Sequence, residues 1–301
     1  METSSVLVAG ATGLLGNEIC RQLRAKNLSV KAMVRATTAS DKIEKLTRLG
    51  VQVVQGDLRK KETFSNALQG VSTVITTVSA MPFSYQPGEN DLQLVDQDGT
   101  INLIDAAKAA GAKHFIYTSI PMSDLESPFS KIKRKVEKHL QQSGLTYTIL
   151  RANCFMEVWL SAAVGFDALN GKVNICGAGT NPVAYISIKD LANFATESVT
   201  NPAAKNAVLE LGGPGNISQL EAVKIFEEVL DKKIELQLIP VEALLAQFNG
   251  AADDMQKSFS AIMLDVAKGM PNDMGNVLKS FPIKMTSVRE YVKSIIAANQ
   301  K

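Results

Sequence analysis

Histidine and cysteine are scarce in this chain of 301 residues, and each scarcity removes a class of chemistry. The two histidines, His114 and His139, are too few for a histidine-based metal site. Neither lies near a G-x-S-x-G turn, where a serine hydrolase would set its nucleophile. The three cysteines, Cys20, Cys154 and Cys176, are widely spaced and form no C-x-x-C pair. They read as reduced thiols of a cytoplasmic protein, not as a disulfide or zinc framework. Charge of one sign is lacking as well. Lys and Arg number 32 against 30 Asp and Glu, a net +2, which excludes the basic field of a nucleic-acid binder and an acidic interaction tail. No apolar run approaches the roughly 18 residues of a membrane-spanning helix. The first five residues lack the positive region of a secretory signal.

What is present is apolar and regularly punctuated. Hydrophobic residues make up 46% of the chain, enough for a large core. The length points to about two domains. An apolar strand runs straight into Gly10-Ala11-Thr12-Gly13-Leu14-Leu15-Gly16, the G-x-x-G-x-x-G shape of a dinucleotide pyrophosphate turn. In such a turn the first glycine permits the tight bend, the second lets backbone approach phosphate, and the third lets helix and strand pack closely. The following helix, from Leu14 to about Ala25, then aims its N-terminal N–H groups at the phosphates. The next strand ends in Arg35, followed by Ala36, Thr37 and Thr38, where an NAD site would place a carboxylate. A guanidinium there suits a 2′-phosphate through forked bonds, so the sequence favours NADP(H) over NAD(H).

Strand-like and helix-like segments alternate through the first half. Strands read at 5–9, 29–34, 51–55, 72–76, 113–118 and 146–151, with helices near 14–26, 40–48, 61–69, 92–111 and 130–143. Gly50, Gly70 and Gly111 stand where helices should stop. This alternation predicts an α/β fold with a doubly wound parallel sheet. After Arg151 the rhythm loosens, and a helix is expected over 252–268. We expect a dinucleotide-binding Rossmann domain over 1–155 and a smaller substrate lobe over 156–301, with residues 183–200 returning to the Rossmann core.

Together these motifs resemble the NmrA-like branch of the atypical short-chain dehydrogenase/reductase superfamily. The resemblance covers most of the chain. It is carried by the glycine turn, Arg35, Gly56-Asp57-Leu58, Asp98-Gly99-Thr100-Ile101-Asn102, Phe115-Ile116-Tyr117-Thr118-Ser119, Ser143-Gly144-Leu145 and Ile188-Lys189-Asp190-Leu191. It implies that Asp57 and Leu58 flank the adenine ring, and that Thr76, Thr77 and Val78 line the ribose and phosphates. It also implies that Ser119 lies under the nicotinamide, with Asn153, Cys154 and Phe155 around its far end.

The wider superfamily uses a Tyr-x-x-x-Lys pair on one helix face, and the residues matching it here are Phe129 and Lys133. The tyrosine is missing. The usual serine partner falls on Ile120, one residue past Ser119. Lys133 survives, and the resemblance to reductases of plant phenolics implies that it holds the cofactor ribose and relays a proton. Read from the residues alone, Lys131, Lys133, Arg134, Lys135 and Lys138 could equally form a solvated basic helix face. Loss of the phenol favours acceptors that tolerate late protonation, such as quinones, activated alkenes and imines. A substrate pocket of Phe83, Tyr85, Met156 and Trp159 would suit a flat apolar molecule, and Tyr85 or Tyr117 could stand in for the missing phenol. The expectation is an NADPH-dependent oxidoreductase that binds neither nucleic acid nor membrane and could form a homodimer. The alternative is a non-catalytic NADP(H)-binding regulator of a protein partner.

Overall fold

A computed structural model describes residues 5–299. Its central feature is a seven-stranded sheet, β1 (Ser5–Ala9), β2 (Val30–Val34), β3 (Gln52–Gln55), β4 (Val71–Thr76), β5 (His114–Ser119), β6 (Thr146–Ala152) and β10 (Ala207–Leu211). The strand order is β10-β6-β5-β4-β1-β2-β3, and the pairings among β1 to β6 are all parallel. Order reverses between β1 and β4, the switch point at which doubly wound sheets bind their ligands. The expected α/β fold is therefore found. Its central strands are largely buried because helices cover both faces: every residue of β1 is buried, as a parallel sheet requires, while the edge strand β3 begins and ends in exposed glutamines.

The helices between these strands are α1 (Leu14–Ala25), α2 (Ser40–Arg48), α3 (Phe64–Leu68), α4 (Thr100–Ala109), α5 (Pro128–Gln142) and α7 (Ile188–Glu197). Helix α1 turns Leu15, Ile19, Cys20 and Leu23 inward and leaves Arg21 to pair with Glu18 outside. One expected element differs. The helix read over 92–111 opens as a π-helix, Leu92–Gly99, and becomes α-helical only from Thr100. Gly99 packs on Leu58 so tightly that a Cβ would lie 2.8 Å from the Leu58 Cβ. Inserted π turns of this kind recur at functional sites, and Asp96 sits on this one.

The chain packs as two compact units. The first comprises residues up to Ile120, Pro128–Arg151 and Leu191–Leu209; the second comprises Pro121–Ser127, Ala152–Asp190 and the chain from Glu210. In the second unit β12 (Glu235–Ile239), β8 (Lys172–Cys176) and β7 (Phe166–Asp167) form one small sheet, and β9 (Pro182–Val183) pairs with β11 (Ile217–Ser218). Its helices are α6 (Met156–Trp159), α8 (Gln219–Leu230), α9 (Val241–Asn249), α10 (Asp254–Lys268), α11 (Gly275–Ser280) and α12 (Val288–Asn299). Helix α8 begins at a reciprocal capping box between Ser218 and Glu221, which satisfies two of the otherwise unpaired N–H groups. Phe166 and Phe226 meet at 5.4 Å in the core of this unit.

His114 is buried at the start of β5, 2.8 Å from the Thr148 hydroxyl. That hydroxyl donates to the Ala204 carbonyl, so the imidazole Nε2–H must be the donor to it. Burial pushes the His114 pKa from 6.5 down to about 4. Between those values the unfolded chain binds a proton that the folded chain does not, so stability falls as pH is lowered through this window. Denaturant titrations at pH 7 and pH 5 should show a larger loss for the native protein than for His114→Gln. Equal losses would show that the imidazole is not held neutral.

Candidate functional site

The glycine turn is built to bring backbone close to a ligand. Gly10 adopts φ +84°, and a Cβ there would sit 2.6 Å from Thr77 Oγ1. At Gly16 a Cβ would lie 2.2 Å from the Gly10 carbonyl oxygen, so only glycine lets α1 pack this close to β1. Gly13 is different. It is exposed, and a Cβ there would meet nothing nearer than the Gly10 carbonyl oxygen at 3.4 Å. Its N–H donates to that oxygen at 3.0 Å, closing the turn. No side chain caps α1 and its first turn holds no acidic residue, so the N–H groups of Leu14, Leu15 and Gly16 face outward as an anion site. Thr12 is half-buried beside them and Leu14 is 66% exposed. This cradle fits a pyrophosphate.

Most of the other residues expected at a nucleotide site fall at the C-terminal edge of the same sheet. Arg35 follows β2, is exposed, and makes a long 3.4 Å contact from Nη1 to Asn90 Oδ1. Asp57 follows β3. Its carboxylate is held by Arg59, with Nη2 2.6 Å from Oδ2 and Nε 2.9 Å from Oδ1. These bonds hold the Asp57 carboxyl below its ordinary pKa. Arg59 was not anticipated from the sequence, where it reads as one more surface cation. Leu58 is buried in the core of the first unit, so it anchors the turn.

At the end of β4, Thr76 is also fully buried, its hydroxyl turned to its own chain 3.4 Å from the Val78 nitrogen. β4 is central in the sheet, so its last residue is covered by the packing around it. Thr77 ties β4 to β1 through its N–H and its hydroxyl, both to the Ala9 carbonyl. Val78 is half-buried and packs against the core of this unit. At the end of β5, Ser119 is 2% exposed and its hydroxyl accepts from Arg134 at 3.2 Å.

Lys133 is not on a solvated face. Helix α5 buries Phe129, Ile132, Lys133, Val136, Glu137 and Leu140 along one stripe, so two charged residues point into the core. The Lys133 ammonium lies 3.3 Å from Asp96 Oδ1, with both side chains almost wholly buried. Asp96 Oδ2 accepts the Ala80 N–H at 2.8 Å. The rings of Tyr117 and Phe129 lie 5.1 and 4.9 Å from the same nitrogen, at cation–π distance. Burial pushes the Lys133 pKa down, and Asp96 opposes that shift. Phe129, at the expected tyrosine position, thus packs on the lysine without offering a proton. Tyr117 is no substitute: its hydroxyl is buried without a partner and burial drives its pKa well above 10. Asp96 was also missed. An acid inside an apolar helical pattern is the only sign of it in the sequence.

Arg151, Glu137 and Arg134 extend this buried charge. Glu137 Oε2 lies 2.7 Å from Arg151 Nη2 and 3.1 Å from Arg134 Nη1, which fixes the ends of β5 and β6. His139 is half-exposed and pairs with Asp105 at 2.7 Å.

The remaining expected residues divide between the units. Phe83 and Tyr85 lie in the loop after β4 of the first unit, with Phe83 64% exposed. Asn153 belongs to the second unit, where its amide is spent on the Met270 carbonyl and the Cys154 N–H. Cys154 is buried. Phe155 is half-buried and bridges to Ile186. Met156 has no exposed surface and packs in the second unit's core. Trp159 is half-buried and stacks on Phe259, ring centroids 6.1 Å apart. Among the described residues no cluster of His, Cys, Asp or Glu could hold a metal ion. No helix among them is long and apolar enough to cross a membrane.

A doubly wound sheet with a glycine turn at its switch point and a buried lysine at its edge defines a dinucleotide-binding protein of the reductase type. The NmrA-like family model matches residues 2–292, and the chain belongs to that family. It is 30% identical over 239 residues to the photosystem II assembly factor Ycf39 of Trieres chinensis, covering 79% of this chain and 72% of that one. An NAD(P)H azoreductase of Xenophilus azovorans is 27% identical over 281 residues, covering 92% and 91%. Among solved structures, the triphenylmethane reductase of Citrobacter sp. in complex with NADP(H) superposes with a TM-score of 0.76 at 25% identity, over 96% of this chain and 99% of that one.

Proposed function

We propose that this chain is an NADPH-dependent oxidoreductase that transfers a hydride to a small, flat, apolar acceptor of the quinone, activated-alkene, imine or carbonyl type. One observation carries the reading. A desolvated lysine, its charge balanced by a single buried carboxylate, shares a unit and a sheet edge with an exposed phosphate cradle. The azoreductase and triphenylmethane reductase relatives support it, since their names specify reduction of extended, conjugated molecules. The bound nicotinamide supplies the hydride. The protein's part is to hold the pyrophosphate at the turn of Gly10, Gly13 and Gly16, the 2′-phosphate at Arg35, and the nicotinamide ribose at Lys133. Ser119, fixed by Arg134, closes the floor beside it. The acceptor takes up its proton after the hydride, with Lys133 as the relay on the protein's side, while Phe129 leaves an acceptor that needs no strong acid. Phe83 and Tyr85, in the loop after β4, supply aromatic surface for it. Three buried thiols suit a cytoplasmic protein.

The assembly-factor relative favours a second reading, in which cofactor binding without turnover regulates a protein partner. A panel of quinones, enals, imines, azo dyes and triphenylmethane dyes with NADPH separates the two. Turnover with any of them supports the reductase; tight binding with no turnover supports the regulator. The cofactor preference has its own test. Arg35→Glu should lower the NADPH-over-NADH binding ratio by about 10–100-fold, because a fork to phosphate becomes a repulsion. An unchanged ratio would remove the 2′-phosphate from Arg35.

A further inference from the structure

The end of β3 holds more charge than a phosphate-binding arginine explains. Arg59 clamps Asp57 in a fork, with Nη2 2.6 Å from Oδ2 and Nε 2.9 Å from Oδ1, and adds its own backbone N–H at 3.0 Å. Its remaining nitrogen, Nη1, donates to the Glu89 carbonyl at 3.1 Å. Arg35 reaches the neighbouring Asn90, and the turn that carries Asp57 is bonded to the end of β2 beside Arg35, the Gly56 N–H donating to the Val34 carbonyl at 2.9 Å. One acid, forked by Arg59, therefore sits in the turn next to the strand end that carries Arg35, at the adenosine end of the expected cofactor site.

We propose that Arg59 is a specificity-determining residue that acts through Asp57: by holding this carboxylate, it leaves Arg35 open to a 2′-phosphate. The inference rests on the NADP(H) reading above. An acid at this edge would by itself favour NAD(H), because it repels a phosphate dianion and competes for the nearest cation. In the fork of Arg59, the Asp57 carboxylate has both oxygens occupied and its charge balanced. Were Arg59 absent, Arg35 would be the next cation available to Asp57. An unphosphorylated ribose carries no charge, so NADH should be almost indifferent to the exchange. The pair is part-exposed, its side chains 28% and 14% accessible, so the effect should shrink as salt screens it.

The test is a set of cofactor titrations on the native protein, Arg59→Gln, the double variant Asp57→Asn/Arg59→Gln, and Arg35→Gln. Thermal shifts with 2′-phospho-ADP-ribose and ADP-ribose give a readout independent of turnover. Arg59→Gln should weaken NADPH about tenfold and leave NADH nearly unchanged. The double variant should regain NADPH binding, because no free carboxylate remains. A double variant as weak as Arg59→Gln would overturn the proposal, since Arg59 would then touch the phosphate itself or only shape the loop. An unchanged ratio in Arg59→Gln would also overturn it, and loss of preference in Arg35→Gln alongside would leave the NADP(H) reading standing. Failure of the native protein to bind any of these nucleotides would instead sink that reading and the inference with it.

Discussion

Replacing Lys133 with methionine is expected to abolish turnover and to destabilise the fold by about 3–5 kcal/mol, the cost of stranding one member of a buried ion pair. Asp96 has no exposed surface. Its Oδ2 keeps the Ala80 N–H, but Oδ1 has only the ammonium at 3.3 Å. Adding Asp96→Asn removes the stranded charge and keeps an acceptor for Ala80. Lys133→Met/Asp96→Asn should therefore recover much of the lost stability while turnover stays absent. Urea unfolding and NADPH consumption on the same preparations separate the two roles. A single variant that unfolds at the native urea concentration would show that the pair is not buried. Return of turnover in the double variant would show that Lys133 serves the fold alone.

The second large effect is expected at Gly16→Ala, which adds one methyl where there is no space. That carbon would fall 2.2 Å from the Gly10 carbonyl oxygen, 2.7 Å from the Gly10 carbonyl carbon and 2.9 Å from the Ala11 Cα. All three belong to backbone and cannot rotate away. Helix α1 must shift, at a cost of about 1–3 kcal/mol for overpacking, and its first-turn N–H groups move with it. Cofactor affinity should fall by about 100-fold or more, since the helix N-terminus no longer faces the phosphates. Calorimetric titration with NADPH, with the unfolding midpoint as a control, measures both. An affinity within about twofold of the native protein would place the pyrophosphate elsewhere.

The legible parts of the sequence were those with local causes. Strands β1, β2, β4, β5 and β6 announce themselves as short apolar runs because a parallel sheet is covered on both faces. The glycine turn is legible because its glycines stand together at the spacing of a strand-to-helix phosphate turn, although the contact that Gly10 avoids comes from Thr77, just past the end of β4. Strands β7, β8, β11 and β12 of the second unit carry no such signal. β12 exposes Glu235, Leu236, Gln237 and Leu238, so it carries no buried run, and its partner β8 lies far away in sequence. The π turn at Leu92–Gly99 was likewise hidden, because its apolar spacing is also that of an ordinary helix.

By itself, then, the sequence determined the α/β class, the family, the glycine turn after β1 and the arginine at the end of β2. Each depends on residues within about a dozen positions of one another. Only tertiary structure decided what the charged residues do. Lys131, Lys133, Arg134, Lys135 and Lys138 look alike on one helix, yet Lys133 is turned inward to meet Asp96 from the preceding helix, where both side chains are almost wholly buried. Asp57 and Arg59 could be two surface charges in any turn, until folding brings Arg35 from another strand beside them. Charge acquires a role through its neighbours and its burial, and long-range packing sets both.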